Sequence, residues 1–184
     1  MNRIIQLDPA RVTGKTKELF DDVQARFGIV PNAFRVLGNA PAALEGYLNL
    51  DNSLSGGTFS GKIREQIALA VAESNLCRYC LSEHTFMASK AGLTEKEIAD
   101  AARSIAATAK TEAILKLARD IVVQRGEVSD ADLEHARNFG LTDGEIAETV
   151  ANVALNILMN YMNHVAHTVM DFAETKVGPL EDWS

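Results

Sequence analysis

The only two cysteines of the chain lie three residues apart, as Cys77 and Cys80, and His84 follows four residues later. A carboxylate, Glu65, precedes Cys77 by twelve residues. On a helix, positions 77, 80 and 84 are related as i, i+3 and i+7, so two sulfurs and an imidazole would share one face. A thiolate is the nucleophile in peroxide reduction and in thiol–disulfide exchange, and a second thiol resolves the oxidised first one. The spacing therefore predicts a redox-active dithiol with acid–base groups beside it.

Both cysteines are expected near the start of a helix that begins between Ser74 and Cys77. Free backbone N–H groups and the helix dipole at that end favour an ionised thiol. A charged imidazole at His84 would add to this effect. We therefore expect a lowered thiol pKa in the pair.

Two other interpretations of the pair stay open at this point. Free cysteines are commonly buried as small apolar side chains that never react. A zinc site would have three candidate ligands here, but the chain lacks a second pair of cysteines to complete a tetrahedron. A disulfide across so short a loop constrains the unfolded chain very little, so its value would lie in being made and broken. We expect no bound metal and no cofactor.

Composition limits the classes of partner. The 184 residues are enough for one substantial core and indicate one domain. The formal net charge of -7 and the pI near 5.1 argue against a nucleic-acid surface, which needs clustered Lys and Arg. The N-terminus lacks the apolar region of a signal peptide, and no run of about 18 apolar residues is present to cross a membrane. The sequence is therefore typical of a cytoplasmic protein that binds neither membranes nor nucleic acid.

Helical periodicity dominates the sequence, and no convincing alternating strand pattern is found, which predicts an all-α fold. Ser60 is the expected N-cap of the helix that carries Glu65, and the next helix carries the cysteines and His84. We expect a single domain over 1–184, with an N-terminal helical extension over 1–50, redox helices over 60–91 and a long late helix over 140–173. The predicted helices are 16–27, 41–53, 60–74, 74–91, 94–106, 111–125, 130–138 and 142–173.

One segment of sequence occurs twice. Residues 92–99 (GLTEKEIA) recur as residues 140–147 (GLTDGEIA). In each copy a glycine ends one helix, and a threonine followed three residues later by glutamate forms a capping box for the next. The echo predicts a duplicated helical hairpin.

The late helix carries a polar stripe on an otherwise apolar background. The stripe consists of Asn152, Asn156, Asn160, Asn163 and His167, and His164 lies beside it. Buried amides must find hydrogen-bond partners, so the amides either pair with backbone or with symmetry mates at a subunit interface, or they line a pocket that faces the cysteines.

If the stripe lines a pocket that faces the cysteines, the residues that would bind substrate or pass protons are Asn160, His164, His167 and Tyr79, the last of which lies between the two cysteines. The only tryptophan, Trp183, lies in the tail and is expected to pack against other residues, often those of a neighbouring subunit.

The spacing of Glu65, Cys77, Cys80 and His84 resembles the signature of AhpD-like alkylhydroperoxidases of the carboxymuconolactone decarboxylase superfamily, and residues 91–98 also match the pattern of that family. The resemblance covers roughly residues 20 to 173. It implies an all-α, AhpD-like helical bundle that assembles as a homo-trimer or homo-hexamer. Decarboxylase members of the superfamily lack the paired cysteines, so the resemblance does not imply lactone decarboxylation.

Carried over residue by residue, the resemblance makes Cys80 the peroxidatic thiol and Cys77 its resolving partner. It makes His84 the base and Glu65 the carboxylate of a proton relay. The implied reaction is reduction of a hydroperoxide, with electrons from a dithiol donor such as a lipoylated protein or a thioredoxin-like protein.

Two competing functions remain at this stage. The same thiols could serve a dithiol–disulfide oxidoreductase or redox sensor whose partner is a protein or a lipoyl group. Alternatively, the chain could be a helical oligomerisation module with inert or zinc-bound cysteines.

Overall fold

The structure, a computed structural model, describes residues 3–175, and Trp183 lies outside them. This part of the chain forms nine α-helices and no β-strand, which confirms the all-α prediction. The helices are α1 (Gly14–Phe27), α2 (Asn32–Leu37), α3 (Pro41–Ser55), α4 (Gly61–Ser74), α5 (Arg78–Lys90), α6 (Glu95–Ala102), α7 (Ala109–Val123), α8 (Asp130–Asn138) and α9 (Asp143–Ala166). Within residues 3–175, none of these helices has both the length and the apolar character needed to cross a membrane.

Helix α4 lies at the centre of the bundle and packs against α5, α6, α7 and α9. Ser60 caps it as predicted, since its side chain accepts the N–H of Ile63. Residues 67–73 are all buried, so the second half of α4 is enclosed on every face. Burial of each large aliphatic side chain contributes about 1.5–3 kcal/mol, which makes α4 a rigid support for the groups it carries.

The duplicated segment starts two helices in the same way. The Thr94 side chain and the Glu97 side chain form a capping box at α6, and Thr142 and Glu145 form the equivalent box at α9. Gly92 and Gly140 both adopt a left-handed backbone, with φ of 86° and 88°. The predicted capping boxes are therefore confirmed.

Two predicted helix ends are wrong, and one helix was not predicted. The late helix ends at Ala166 instead of 173, because His167 adopts a left-handed backbone with φ of 50° and Thr168 donates its N–H back to the Asn163 carbonyl. The helix predicted over 94–106 ends at Ala102, shortly before Ser104 with φ of 59°. The short helix α2 has no prediction at all, because six residues are too few for a helical period to stand out.

The segment 168–175 runs back across the N-terminal end of α5. The Asp171 carboxylate accepts the Tyr79 hydroxyl at 2.7 Å and the Asn32 N–H at 2.7 Å. The Phe172 ring packs edge-on against Tyr79 at 5.8 Å between centroids. Thr175 donates its N–H to the Ser82 hydroxyl at 2.8 Å. These contacts fix the segment beside the cysteine motif.

Candidate active site

A tight turn between α4 and α5 places the cysteines. Leu76 adopts φ of 56°, and the N–H of Cys77 returns to the Ala72 carbonyl at 2.8 Å. The chain thereby reverses direction, and α5 packs against α4. This return brings Glu65 and His84 together, and His84 Nδ1 lies 2.9 Å from Glu65 Oε2.

The prediction that Cys77 lies in the first turn of α5 is wrong, because Cys77 is the N-cap that precedes this helix. Its sulfur accepts the Cys80 backbone N–H at 3.4 Å. The pKa of Cys77 is lowered, first because the Cys80 thiol donates to its sulfur, and further by that backbone N–H and by the charge of His84. These effects outweigh burial, which raises the pKa. The expected ionisation of the pair therefore falls on Cys77.

Cys80 shows the opposite behaviour, so the expectation of a lowered thiol pKa is wrong for this residue. Burial raises its pKa, and the neighbouring Cys77 sulfur and the Glu83 carboxylate raise it further. A hydrogen bond from Asn163 acts in the other direction. Both thiols are free and only 1% exposed. Two adjacent sulfurs cannot both carry charge easily, and Cys77, whose sulfur accepts hydrogen bonds from the Cys80 thiol and backbone N–H, ionises first.

The imidazole of His84 sits among carboxylates. Burial lowers its pKa, but the Glu65 carboxylate, which is also its hydrogen-bond partner, and Glu83 raise the pKa to about 9. His84 is therefore an imidazolium at neutral pH. Burial, together with the charges of Glu65 and Asp171, raises the pKa of Glu83 to about 7. Glu83 carried no functional signal in the sequence, because a lone glutamate on a helix is usually a solvated surface residue.

An open cavity of about 570 Å³ leads to Cys77. Tyr79, His164 and His167 line it, which places three of the four auxiliary residues predicted from the sequence beside this thiol. The remaining lining residues are Leu76, Arg78, Asn163, Thr168, Met170 and Glu174. Cys80 is not among the lining residues, so a bulky partner reaches Cys77 first.

Two predicted auxiliary residues have structural contacts. The Tyr79 hydroxyl donates to Asp171 and accepts the Ala33 N–H at 3.2 Å, which ties α5 to α2 and to segment 168–175. Asn160 is fully buried, and its side-chain oxygen accepts from Asn75 at 2.9 Å. Asn160 does not line the cavity.

The asparagines of the polar stripe on α9 differ in their contacts: some bond to backbone, and one contacts a cysteine. Asn152 and Asn156 donate to backbone carbonyls one turn earlier in their own helix, at 2.9 Å and 2.8 Å. Asn163 instead donates its side-chain N–H to Cys80 Sγ at 3.3 Å. The spacing of the stripe indicated a shared face, but it carried no signal for which amide meets a thiol. Within residues 3–175, no group of three or more His, Cys, Asp or Glu is placed to hold a metal ion.

Comparisons with known proteins find a family match, a relative and similar solved structures. Residues 40–123 match the carboxymuconolactone decarboxylase family. A stretch of 96 residues is 31% identical to an alkyl hydroperoxide reductase of Mycobacterium tuberculosis, covering 52% of this chain and 28% of that protein. The chain thus spans less than a third of that relative.

Solved structures share the fold at low sequence identity. An alkylhydroperoxidase AhpD core from Ralstonia eutropha JMP134, a peroxidase-related protein, superposes with a TM-score of 0.82 at 23% identity, covering 92% of both chains. A debrominase in complex with 2,3,4-tribromopyrrole superposes with a TM-score of 0.79 at 13% identity, covering 92% of this chain and 91% of the other. At these identities the likeness shows the fold alone. The AhpD-like resemblance inferred from the sequence is confirmed.

Proposed function

We propose that this chain, whose residues 40–123 match the carboxymuconolactone decarboxylase family, is a thiol peroxidase that reduces hydroperoxides through a Cys77–Cys80 dithiol–disulfide cycle. One observation carries this proposal. Two free thiols that share a hydrogen bond lie at the start of the helix on which His84 contacts Glu65. A nucleophile, a resolving thiol and a proton donor are thus present in one site.

The reactive form of the dithiol holds one negative charge and a proton donor. Cys77 ionises first because its pKa is lowered, Cys80 then donates its S–H to the Cys77 sulfur, and the His84 imidazolium pairs with Glu65. In this state His84 has already acted as the base, because the proton from Cys77 resides on the imidazole.

Cys80 becomes the nucleophile when its proton moves along the shared hydrogen bond to Cys77. The Cys80 thiolate attacks the terminal oxygen of the hydroperoxide, the O–O bond breaks, and a sulfenic acid forms on Cys80. The departing alkoxide takes a proton from His84 and leaves as the alcohol. Glu65 stabilises the imidazolium before this step and is the carboxylate of the relay.

Cys77 then resolves the oxidised thiol. Its sulfur attacks the Cys80 sulfenic sulfur, the S–O bond breaks, and the hydroxyl leaves as water with the thiol proton. The disulfide that results holds the two electrons lost by the thiols. An external dithiol returns two electrons and two protons by attacking Cys77, the sulfur that faces the open cavity. A lipoylated protein or a thioredoxin-like protein is the proposed donor class.

Assembly and location belong to the same proposal. Four large apolar side chains are exposed along one side of α9, namely Val150, Leu158, Tyr161 and Val165, and such a face supports a homo-trimer or homo-hexamer. Two unpaired cysteines support a place of action in the cytoplasm, where thiols are kept reduced.

The roles of the two thiols can be tested by trapping the sulfenic acid with dimedone in single-cysteine variants. We expect Cys80→Ser to abolish peroxide consumption. Cys77→Ser should keep one turnover and carry the dimedone adduct on Cys80. An adduct on Cys77 in Cys80→Ser, with none on Cys80 in Cys77→Ser, would reverse the assignment. Wild-type peroxide consumption in the Cys80→Ser variant would exclude the cycle altogether.

A second function, dithiol–disulfide oxidoreductase or redox sensor, is favoured by the position of Cys77. Its pKa is lowered and it faces a cavity large enough for a peptide or a lipoyl group, which suits exchange with an external disulfide. Reaction of the reduced protein with a peroxide and with a small disulfide, followed by stopped flow, separates the two functions. Rapid exchange with sluggish peroxide oxidation would favour this second function. Thiol titration and metal analysis address the inert or zinc-bound alternative.

A further inference from the structure

We propose that Asn163 is a catalytic residue whose amide contacts both reacting atoms, donating to Cys80 Sγ and accepting the O–H of the hydroperoxide. This inference rests on the proposed peroxidase function, since it names the group that binds the substrate oxygen at the same site. It assigns a subsite for the –O–O–H group to the end of α9.

The two polar atoms of the Asn163 amide are in different situations. Nδ2 donates to Cys80 Sγ at 3.3 Å. The residue is only 4% exposed, so Oδ1 is buried, and this oxygen has no hydrogen-bond partner among residues 3–175. Buried carbonyl oxygens nearly always accept a hydrogen bond, and an unpaired one costs free energy. An unused acceptor therefore lies on the same amide that holds the nucleophilic sulfur.

A neighbouring amide on the same helix shows that this arrangement is not dictated by the helix. Asn156, two turns earlier, is equally buried, and its Nδ2 donates to the Asn152 carbonyl at 2.8 Å. That contact is satisfied within the helix and touches no thiol. Asn163 instead points its donor at a sulfur and leaves its oxygen unpaired, an arrangement more typical of functional sites than of packing.

A hydroperoxide fits the unused acceptor chemically. The terminal oxygen of R–O–O–H is the atom that the thiolate attacks, and it carries the only hydrogen-bond donor of the group. The nitrogen and oxygen of one amide are close neighbours, so Nδ2–H can hold Sγ while Oδ1 accepts the O–H of the oxygen under attack. After attack the same O–H belongs to the sulfenic acid, so the contact persists through the step.

Thr168 supplies a second polar atom to this subsite. Its hydroxyl is buried and unpaired among the described residues, and its backbone N–H bonds to the Asn163 carbonyl at 3.3 Å. Both residues line the cavity that opens at Cys77. The Thr168 hydroxyl is placed to donate to the departing oxygen, where negative charge develops.

The test uses a Cys77→Ser background, so that Cys80 is the only thiol, and compares Asn163→Leu with the matched control Asn156→Leu. Alkylation by iodoacetamide, which carries no O–H for Oδ1 to bind at the site of attack, gives the pH midpoint of Cys80 ionisation and the reactivity of the thiolate. Oxidation by hydrogen peroxide and tert-butyl hydroperoxide is followed in parallel. Asn163→Asp is the second variant, because it keeps the shape of the amide while removing the N–H donor. In this background the titratable neighbours Glu83 and Tyr47 are present in every variant, and Asn163→Asp alone adds a carboxylate.

We expect Asn163→Leu and Asn163→Asp to shift the alkylation midpoint to higher pH, whereas Asn156→Leu does not. At a pH where Cys80 is fully ionised, alkylation of the Asn163 variants should be no slower than that of Asn156→Leu, because a thiolate of higher pKa is the stronger nucleophile. Oxidation of Asn163→Leu by both peroxides should still be slower by about tenfold or more, the effect of losing a hydrogen bond to the reacting group.

At a pH where Cys80 is fully ionised, the rates of oxidation by peroxide are compared between Asn163→Leu and the control Asn156→Leu. Equal rates in the two variants would overturn the subsite. An unchanged alkylation midpoint in both Asn163 variants would overturn the contact with the thiolate. If the unmodified protein reacts with no hydroperoxide, the proposed function and the subsite are rejected together. In that case the pH midpoint of Cys80 alkylation still decides whether the Asn163 amide stabilises the thiolate.

Discussion

The Nδ1 atom of His84 lies 2.9 Å from Oε2 of Glu65, a contact between two helices whose residues are 19 positions apart in the chain. Glu65 belongs to the central helix α4, so the orientation of the imidazole is fixed by the most buried element of the bundle. Both side chains are about one-fifth exposed. The protonation of His84 is therefore coupled to the packing of α5 on α4.

Replacement of Glu65 by glutamine tests this coupling. The partner carboxylate helps to raise the pKa of His84 to about 9, so Glu65→Gln should return the imidazole toward or below its ordinary pKa. The proton NMR signals of His84 report the titration directly, and Glu134→Gln, at an exposed site on α8, is the control. An unchanged His84 titration in Glu65→Gln would contradict the ion pair.

The same pKa predicts how stability depends on pH. A group whose folded pKa is raised stabilises the folded state in full below its unfolded pKa, near 6.5, and this stabilisation is lost as pH rises through about 9. We therefore expect the free energy of unfolding to fall between pH 7 and 9 in the unmodified protein. Urea unfolding of Glu65→Gln should show a smaller fall over this window, and an equal fall in both proteins would count against the prediction.

Asp171 is predicted to hold segment 168–175 over the cysteine motif. Asp171→Ala removes the acceptor of both the Tyr79 hydroxyl and the Asn32 N–H. We expect a loss of about 1–3 kcal/mol in the free energy of unfolding, together with faster alkylation of Cys77. Glu174→Gln is the control, because the Glu174–Arg78 pair is exposed and contributes about 0–1 kcal/mol. Alkylation at the same rate in both variants would show that the segment does not limit access to the thiol.

The sequence predicted the elements of this site better than their electrostatics. Helical periodicity and the capping boxes indicated α4, α6 and α9, because these features repeat at fixed spacing within a short window. The partnership of Glu65 and His84 followed from the motif. The ionisation of Cys77 and Cys80 did not, since it depends on burial and on which thiol donates to the other.

The sequence placed Asn163 in the polar stripe without singling it out as the amide that meets a thiol, and it carried no signal for Asp171. Asn163 reaches Cys80 across 83 positions, and Asp171 reaches Tyr79 across 92. Asn163 lies in the last turn of α9, and Asp171 lies beyond the end of this helix at Ala166. The helix ends because His167 adopts a left-handed backbone, and no glycine in the sequence marks that position. Glu83 acquires its raised pKa only from the burial that tertiary packing imposes.

The core of α4 should tolerate little change. Ile67 is fully buried, and Ile67→Ala should lower the free energy of unfolding by about 2–5 kcal/mol, because it removes apolar contacts and leaves a cavity. Ile105, which is 43% exposed, provides the control substitution Ile105→Ala, and we expect a change below about 1 kcal/mol there. Chemical denaturation measures both. Similar losses in the two variants would contradict the central position of α4.

Glu83 should link the reactivity of Cys80 to neutral pH. Its pKa is raised to about 7, and its charge raises the pKa of Cys80, so Glu83→Gln should move the alkylation midpoint of Cys80 to lower pH. A raised folded pKa also means that stability falls as pH rises from about 4.5 through 7, by up to about 3 kcal/mol, and Glu83→Gln should remove this fall. Urea unfolding at pH 5 and pH 8 measures the second effect, with Glu134→Gln as an exposed control. A variant that keeps both the midpoint of Cys80 and the pH dependence of unfolding would show that Glu83 is solvated and carries no charge relevant to the thiols.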